Sequence, residues 1–125
     1  MKVGDNAEVT RSFSKKDLLD YAAVSGYEAS AERVPEPLIG ALFSYLLGVK
    51  LPGMGTMYLK QETTFLKDAL IGKQLSAKVE ITRLRPEKYL ADLTTICRDS
   101  DGQIVANGHA LVYIRDVASN HDEHE

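Results

Sequence analysis

The second half of the chain alternates apolar and polar residues, which is the pattern of β-strands that bury one face. In LSAKVEITRLR, every second residue from Leu75 to Ile81 is apolar. The same alternation runs from Tyr89 to Cys97 in YLADLTTICR, and it recurs in TMYLKQETTFL and IVANGHALVYI. RPEK and SDGQ have the composition of turns between strands. With the short segment AEVTRSF near the start, the pattern predicts one short strand and, later, four long antiparallel strands.

A first helix is predicted directly after the short strand. Ser14 has the properties of an N-cap, and Asp17 stands three residues later, as in a capping box. The segment KKDLLDYAAVSG then runs to Gly26, a residue type that often ends helices in the left-handed conformation.

A second helix is predicted from Pro37 to Gly48, because prolines favour a helix start and PLIGALFSYLLG contains no charged residue. A helix that is apolar on all sides is expected to be buried. Gly40, Ser44 and Gly48 follow one another at intervals of four and form a stripe of small residues. We expect this stripe to face the sheet, where small side chains allow a close approach.

The order of these elements indicates the fold class. Four long strands need a cover for their apolar face, and the helix from Pro37 to Gly48 is the only large apolar segment available. An antiparallel sheet curled around one central buried helix is the hot-dog architecture, an α+β fold. We therefore predict a single hot-dog domain over residues 1–117 and a polar, disordered tail over 118–125.

Composition and charge narrow the classes of function. The chain has 125 residues and a net charge of −3, which gives no reason to expect nucleic acid or an anionic membrane as a partner. Its uncharged run from Pro37 to Val49 is shorter than a membrane helix. The start of the chain lacks the apolar region of a secretory signal, and the single Cys97 forms no intramolecular disulfide. These features favour a cytoplasmic protein.

The middle of the chain resembles a known family. LFSYLLGVKLPGMGTMYLKQETTF is similar to the segment after the active-site histidine of MaoC-like, (R)-specific enoyl-CoA hydratases, and the Leu-Pro-Gly-x-Gly-Thr run is its most specific part. Similar MaoC domains occur joined to phosphate acetyl/butyryltransferases. The resemblance continues through GKQLSAKVEITRLRPEKYLADLTTICRDSDGQIVANGHALV and covers about nine-tenths of the chain.

The resemblance implies a hot-dog fold and an acyl-CoA or acyl-carrier thioester as ligand or substrate, with no other cofactor. It also implies a homodimer, or a heterodimer with a related hot-dog subunit, because hot-dog protomers usually pair edge to edge. The residues expected to bind the thioester belong to the LPGMGT loop, which resembles the family's, and to the strand after it: Leu51, Gly53, Gly55, Thr56 and Tyr58.

The chain departs from the family where the family carries its catalytic residues. There, Ser-Gly is followed by Asp-x-Asn-Pro-x-His, whose Asp and His activate the attacking water, and a Gly at the helix start donates its N–H to the thioester oxygen. Here Tyr27 follows Ser25-Gly26, and no Asn-Pro-x-His occurs. Pro35-Glu36 stands in place of the family's His-Gly, and a proline has no N–H. The connecting segment is also shorter, so the usual dyad is predicted to be missing.

Three residues are candidates to replace the dyad. Glu36 at the helix start is placed to act as a general base, although an acid there also complements the helix dipole. Tyr27 offers a hydrogen bond or packs over the shortened loop. His109 is either a proton-transfer group or an ordinary half-exposed strand residue. Cys97 is predicted to be a buried structural thiol. The tail HDEH, residues 121–124, is predicted to be solvated, and no metal site is expected.

Three functions therefore stay open. The first is a degenerate member that binds acyl thioesters or serves as a partner subunit. The second is a diverged hydratase or dehydratase with relocated catalytic residues. The third is a thioesterase that uses Glu36.

Overall fold

The computed structural model describes residues 1–26 and 32–117. The elements follow in the order β1 (Asn6–Ser12), α1 (Lys15–Ser25), α2 (Glu36–Tyr45), β2 (Met57–Phe65), β3 (Gln74–Arg85), β4 (Leu90–Arg98) and β5 (Ile104–Tyr113). A π-helical turn, Leu46–Lys50, continues α2, and a 3-10 turn, Pro86–Lys88, joins β3 to β4. The predicted tail, residues 118–125, lies outside the described residues.

The five strands form one antiparallel sheet in the order β1-β3-β4-β5-β2. Their inner face is set by the alternation visible in the sequence, because Leu75, Ala77, Val79 and Ile81 of β3 have no exposed surface. Ala91, Leu93 and Cys97 of β4 are equally buried. Tyr89 is an exception to the predicted face. It ends the 3-10 turn with a φ of 53°, and its side chain is 42% exposed and does not belong to the inner face.

Helix α2 lies against this inner face and supplies the centre of the core. Ile39, Phe43, Leu46 and Leu47 are buried in the same apolar cluster as the strand residues. The hot-dog prediction, a curled antiparallel sheet around one central helix, is confirmed. The prediction that the helix is buried on every side is wrong in part, since Ala41 and Tyr45 are exposed and Leu38 is half-buried. One sheet face covers one side of a helix and leaves the other side uncovered.

Local capping determines the ends of α1. The Ser14 side chain accepts a hydrogen bond from the Asp17 N–H, while the Asp17 carboxylate accepts one from the Ser14 N–H at 2.8 Å. Gly26 ends the helix with a φ of 73°, which glycine adopts without a steric cost. Both predictions from the sequence are confirmed.

The stripe of small residues on the second helix does not face the sheet as predicted. A side chain added at Gly40 would meet nothing within 4 Å, and one added at Gly48 would meet the Tyr58 hydroxyl at 3.3 Å. That hydroxyl donates a hydrogen bond to the Ser44 carbonyl at 2.8 Å. The stripe therefore contacts one tyrosine side chain of the edge strand β2. The large residues of α2 pack against the inner face of the sheet instead.

Within the described residues, no helix is long and apolar enough to cross a membrane.

Candidate functional site

The uncovered side of α2 forms one wall of an apolar groove of about 690 Å³. The wall consists of Leu38, Ala41, Leu42 and Tyr45, whose spacing places them on one face of a helix. Val9 of β1 and Phe13, the residue directly after β1, also line the groove, and α1 closes the opposite side. We call this space the α2 groove. Its size lies within the range of small-molecule sites in proteins.

Charged residues of α1 and β1 line the α2 groove. Asp17 and Asp20 both belong to the lining, together with Arg11. The Arg11 guanidinium lies 4.5 Å from the centre of the Phe13 ring and 3.8 Å from the Asp17 carboxylate. Hydrogen bonds from the Ser14 N–H and hydroxyl lower the pKa of Asp17. Asp20 pairs with Lys16 at 2.8 Å. The groove thus combines an apolar helix face with a rim that carries paired charges.

Glu36, the candidate base, lies outside this groove. It is exposed and lines a separate cleft of about 280 Å³ with Arg33, Pro37 and Asp68. Arg33 and Asp68 form an ion pair at 3.5 Å in the same cleft. The chain before α2 is fixed there by backbone bonds, since the Val34 N–H donates to the Ala69 carbonyl at 2.8 Å. Glu36 therefore stands beside an ion pair at the start of α2, and none of the described residues that line its cleft is a histidine.

His109 lies on β5, opposite Glu62 of β2 and Thr94 of β4. Its Nε2 is 3.6 Å from the Glu62 Oε2, and both side chains are about half exposed. The next residue, Ala110, is fully buried on the inner face, so the alternation of the strand turns His109 to the outer face. The sheet thus separates His109 from α2, and the structure does not bring His109 and Glu36 together. Tyr27 lies outside the described residues.

The loop predicted to bind the thioester is held mainly by its own contacts. The Thr56 hydroxyl donates to the Gly53 carbonyl at 2.7 Å, and the Gly53 N–H donates to the Leu47 carbonyl at 3.0 Å. Gly55 has a φ of 94°, and a Cβ there would lie 3.0 Å from the backbone of residues 116 and 117. Leu51 is half-buried against the core. These contacts explain why the loop needs its glycines, and a binding role for the loop stays a prediction.

Cys97 has the structural environment that the sequence predicts. It is fully buried on the inner face of β4, and burial raises the pKa of its thiol to about 11. A thiol with that pKa is protonated near neutral pH and is a poor nucleophile. Across residues 1–26 and 32–117, no three His, Cys, Asp or Glu side chains come together as metal ligands. His121 and His124 lie beyond that part of the chain.

The α2 groove is the feature that the sequence interpretation missed. The sequence of the helix did indicate such a groove, because a single sheet face cannot cover a helix that is apolar on every side. Leu38, Ala41, Leu42 and Tyr45 occur at i, i+3, i+4 and i+7, a second apolar face that borders the core at the buried Leu42.

Comparisons with known proteins give consistent results, although no family model matches the chain. The chain is 33% identical to the (R)-specific enoyl-CoA hydratase of Aeromonas caviae in an alignment of 126 positions, gaps included, that covers 90% of this chain and 94% of that protein. A 3-hydroxybutyryl-CoA dehydratase of Methylorubrum extorquens is 30% identical and is covered to 81%, with 91% of this chain aligned. The solved structure of the (R)-hydratase from A. caviae involved in PHA biosynthesis has a TM-score of 0.82 to this fold at 31% identity, covering 90% of this chain and 96% of that one.

Proposed function

This chain belongs to the (R)-specific enoyl-CoA hydratase family, and on that premise we propose that it binds acyl thioesters without hydrating them. The observation that carries the proposal is that the sequence lacks the family's aspartate and histidine before α2. Between Gly26 and Leu42 the sequence contains neither aspartate nor histidine. The one histidine of the strands, His109, is on the outer face of the sheet.

The alignment with the Aeromonas caviae hydratase supports a shortened segment in this chain. It extends over 126 positions but uses only 90% of a chain of 125 residues. The relative therefore contains residues that have no counterpart here. Such a difference agrees with the loss of the segment between Gly26 and Leu42 that carries the dyad in the family.

Hydration requires a base within hydrogen-bond reach of the attacking water. Glu36 is the carboxylate closest in sequence to the family's helix start, and it stands in a cleft with Asp68 and Arg33. Residues that act as a catalytic unit lose most of their effect when one member is missing. A lone exposed carboxylate beside an ion pair is therefore a poor substitute for an aspartate–histidine dyad.

Binding of a thioester requires a complementary surface but no catalytic base. The α2 groove offers apolar surface beside the start of α2, and each buried methylene contributes about 0.8 kcal/mol. The thioester is carried by coenzyme A or by an acyl-carrier protein. The protein acts as a homodimer or as the partner of a related hot-dog subunit, since β2 is an edge strand with exposed Met57 and Leu59.

The test combines an activity assay with a binding assay on the purified protein. Hydration of crotonyl-CoA and of trans-2-octenoyl-CoA is followed by loss of enoyl absorbance, and binding of both thioesters is measured by calorimetry. We expect turnover at background and dissociation constants in the micromolar range. The two enoyl lengths ensure that a missing signal does not reflect a poor fit of one acyl chain.

Two variants identify the alternatives. Turnover that disappears in Glu36→Gln would establish a hydratase with a relocated base. Turnover that disappears in His109→Ala would show that the catalytic site lies on the outer face of the sheet. Release of free CoA from either thioester, again abolished in Glu36→Gln, would identify a thioesterase. Absence of both turnover and binding would overturn the proposal.

A further inference from the structure

A group of arginines and tyrosines lies on the outer face of the sheet, at the end where β3 joins β4. The partner of Arg83 in β4 is Asp92, which is next to the fully buried Ala91. Because side chains alternate along a strand, Arg83 and Asp92 lie on the outer face. Leu90, on the other side of Ala91, places its partner Arg85 on the same face. We call this surface the Arg-Tyr patch, and its members are Arg83, Arg85, Tyr89, Tyr113 and Arg115.

Measured contacts join the members of the Arg-Tyr patch. Arg85 donates a hydrogen bond to the Asp92 carboxylate at 2.8 Å. The rings of Tyr89 and Tyr113 meet edge to face with their centres 6.1 Å apart, and the Arg115 guanidinium lies 5.8 Å from the centre of the Tyr89 ring. Arg83 is exposed, and no carboxylate in residues 1–26 and 32–117 forms an ion pair with it. The patch therefore presents a guanidinium without a counter-ion beside aromatic rings that hold each other in place.

The Arg-Tyr patch continues into the LPGMGT loop. The Ile114 N–H donates to the Tyr89 carbonyl at 2.8 Å, which fixes the segment after β5 beside the turn before β4. The next residues, 116 and 117, lie against the loop, since a Cβ on Gly55 would be 3.0 Å from their backbone. The loop predicted to bind the thioester and the patch are thus neighbours within one protomer.

The composition of the patch matches a protein contact. Arginine and tyrosine are enriched at the centres of protein interfaces, where they contribute much of the binding energy. The five side chains come from the ends of β3 and β5 and from the turn between β3 and β4, so they spread over an exposed sheet face. Such a surface complements another protein surface better than it complements one phosphate group.

The charge of this region differs in sign from that of the whole chain. Residues 83–92 and 113–116 contain four basic and three acidic side chains, whereas the net charge of the protein is −3. A positive region on an acidic protein steers a negatively charged partner to that region and repels it elsewhere. The partner that the patch favours is therefore acidic.

Building on the proposed function, we infer that the Arg-Tyr patch is the docking surface for an acidic acyl-carrier protein, which brings the thioester to this chain on its phosphopantetheine arm. Arg83 and Arg115 attract the acidic side chains of the carrier, and Tyr89 packs against its surface. The LPGMGT loop, next to the patch, is the first part of the chain that the arm meets.

The experiment compares two carriers of the same acyl group. Calorimetry measures the binding of an octanoyl-loaded acidic acyl-carrier protein and of octanoyl-CoA, each at about 50 and about 500 mM NaCl. We expect the loaded carrier protein to bind at least about tenfold more tightly than octanoyl-CoA at low salt, and to lose about tenfold in affinity at high salt. The unloaded carrier protein should retain measurable binding, because docking on the patch does not need the acyl chain.

Three variants locate the contact. Arg83→Ala removes an exposed charge of the patch, and Tyr89→Asn removes a ring while keeping a residue type that adopts a positive φ. Each should weaken the carrier protein about fivefold or more and leave octanoyl-CoA within about twofold of the wild type. Arg98→Ala is the matched control, since it removes the same charge at the other end of β4. It should leave both ligands within about twofold.

The outcomes separate this inference from the proposed function. If octanoyl-CoA binds and the carrier protein binds no more tightly, the protein is a thioester binder and the docking surface is refuted. Equal losses in Arg83→Ala and Arg98→Ala would show a general charge effect and refute the patch. Equal losses for both ligands in Arg83→Ala would assign the patch to the phosphates of coenzyme A instead. If Arg83→Ala or Tyr89→Asn dissociates an oligomer in light scattering without weakening the carrier protein, the patch joins two copies of this chain and the inference is wrong. If neither ligand binds, the proposed function and this inference fail together.

Discussion

Both sides of α2 carry apolar residues, but one side is buried against the sheet and the other lines a groove. On the inner side, Ile39 and Phe43 are buried against the sheet, as is Leu46 of the π-helical turn that continues α2, each with 1% exposure or less. On the outer side, Leu38 and Ala41 line the groove with Tyr45, which is 40% exposed. The sheet has one concave face, so one side of the helix completes the core and the other remains available. The comparison teaches that apolar residues on a central helix complete the core on one side only, and that the other side keeps an apolar surface beside a groove.

The largest expected effect concerns the inner side. Phe43→Ala removes a ring that has no exposed surface and leaves a cavity between α2 and the sheet. We expect the free energy of unfolding to fall by about 3–5 kcal/mol. The measurement is equilibrium unfolding in urea, followed by circular dichroism.

Tyr45→Ala on the same helix is the matched control. Two residues further along, it removes a ring of similar size from the outer side, and its expected cost is about 1 kcal/mol or less. Equal losses for the two variants would contradict the distinction between the sides of α2.

An intermediate effect is expected at the opposite wall of the groove. Ser14→Ala deletes the hydroxyl that accepts the Asp17 N–H at the start of α1. The free energy of unfolding should fall by about 1 kcal/mol, the usual contribution of an N-cap. Thr10→Ala, an exposed β1 hydroxyl away from the cap, serves as the control in the same urea titration. A Ser14→Ala protein as stable as the control would mean that the N-cap of α1 contributes nothing to stability.

The smallest effect is a pH dependence at the same cap. The Ser14 N–H and hydroxyl lower the pKa of Asp17 below its ordinary value of 3.8, so the folded state favours the carboxylate. The resulting stabilisation is complete above that value and is lost as the pH falls through the lower, folded-state pKa. Asp17→Asn should therefore be less stable than the wild type at pH about 6, with the difference shrinking below pH about 4. Urea titrations over this range test the sign, and a difference that grows on acidification would contradict it.

The sequence by itself determined the features that depend on neighbouring residues. The capping box of Ser14 and Asp17 spans three positions, and the left-handed Gly26 follows from the freedom of glycine. The inner face of β3, from Leu75 to Ile81, follows from the period of two in a strand. The hot-dog fold was predictable for a related reason, because an apolar sheet face and an uncharged helix each need the other for burial. The family's missing Asp and His were equally visible, since they are a matter of residue identity alone.

Only the tertiary structure decided which apolar residues of α2 stay uncovered. Leu38, Ala41 and Tyr45 look like core residues in the sequence, and their exposure depends on the curvature of a sheet whose strands come from distant parts of the chain. The same cause separated His109 from Glu36, because strand pairing turned the histidine to the outer face. Local sequence fixes the period of an element and its ends. The face that an element turns to its neighbours results from contacts between residues far apart in the chain, which no local pattern contains.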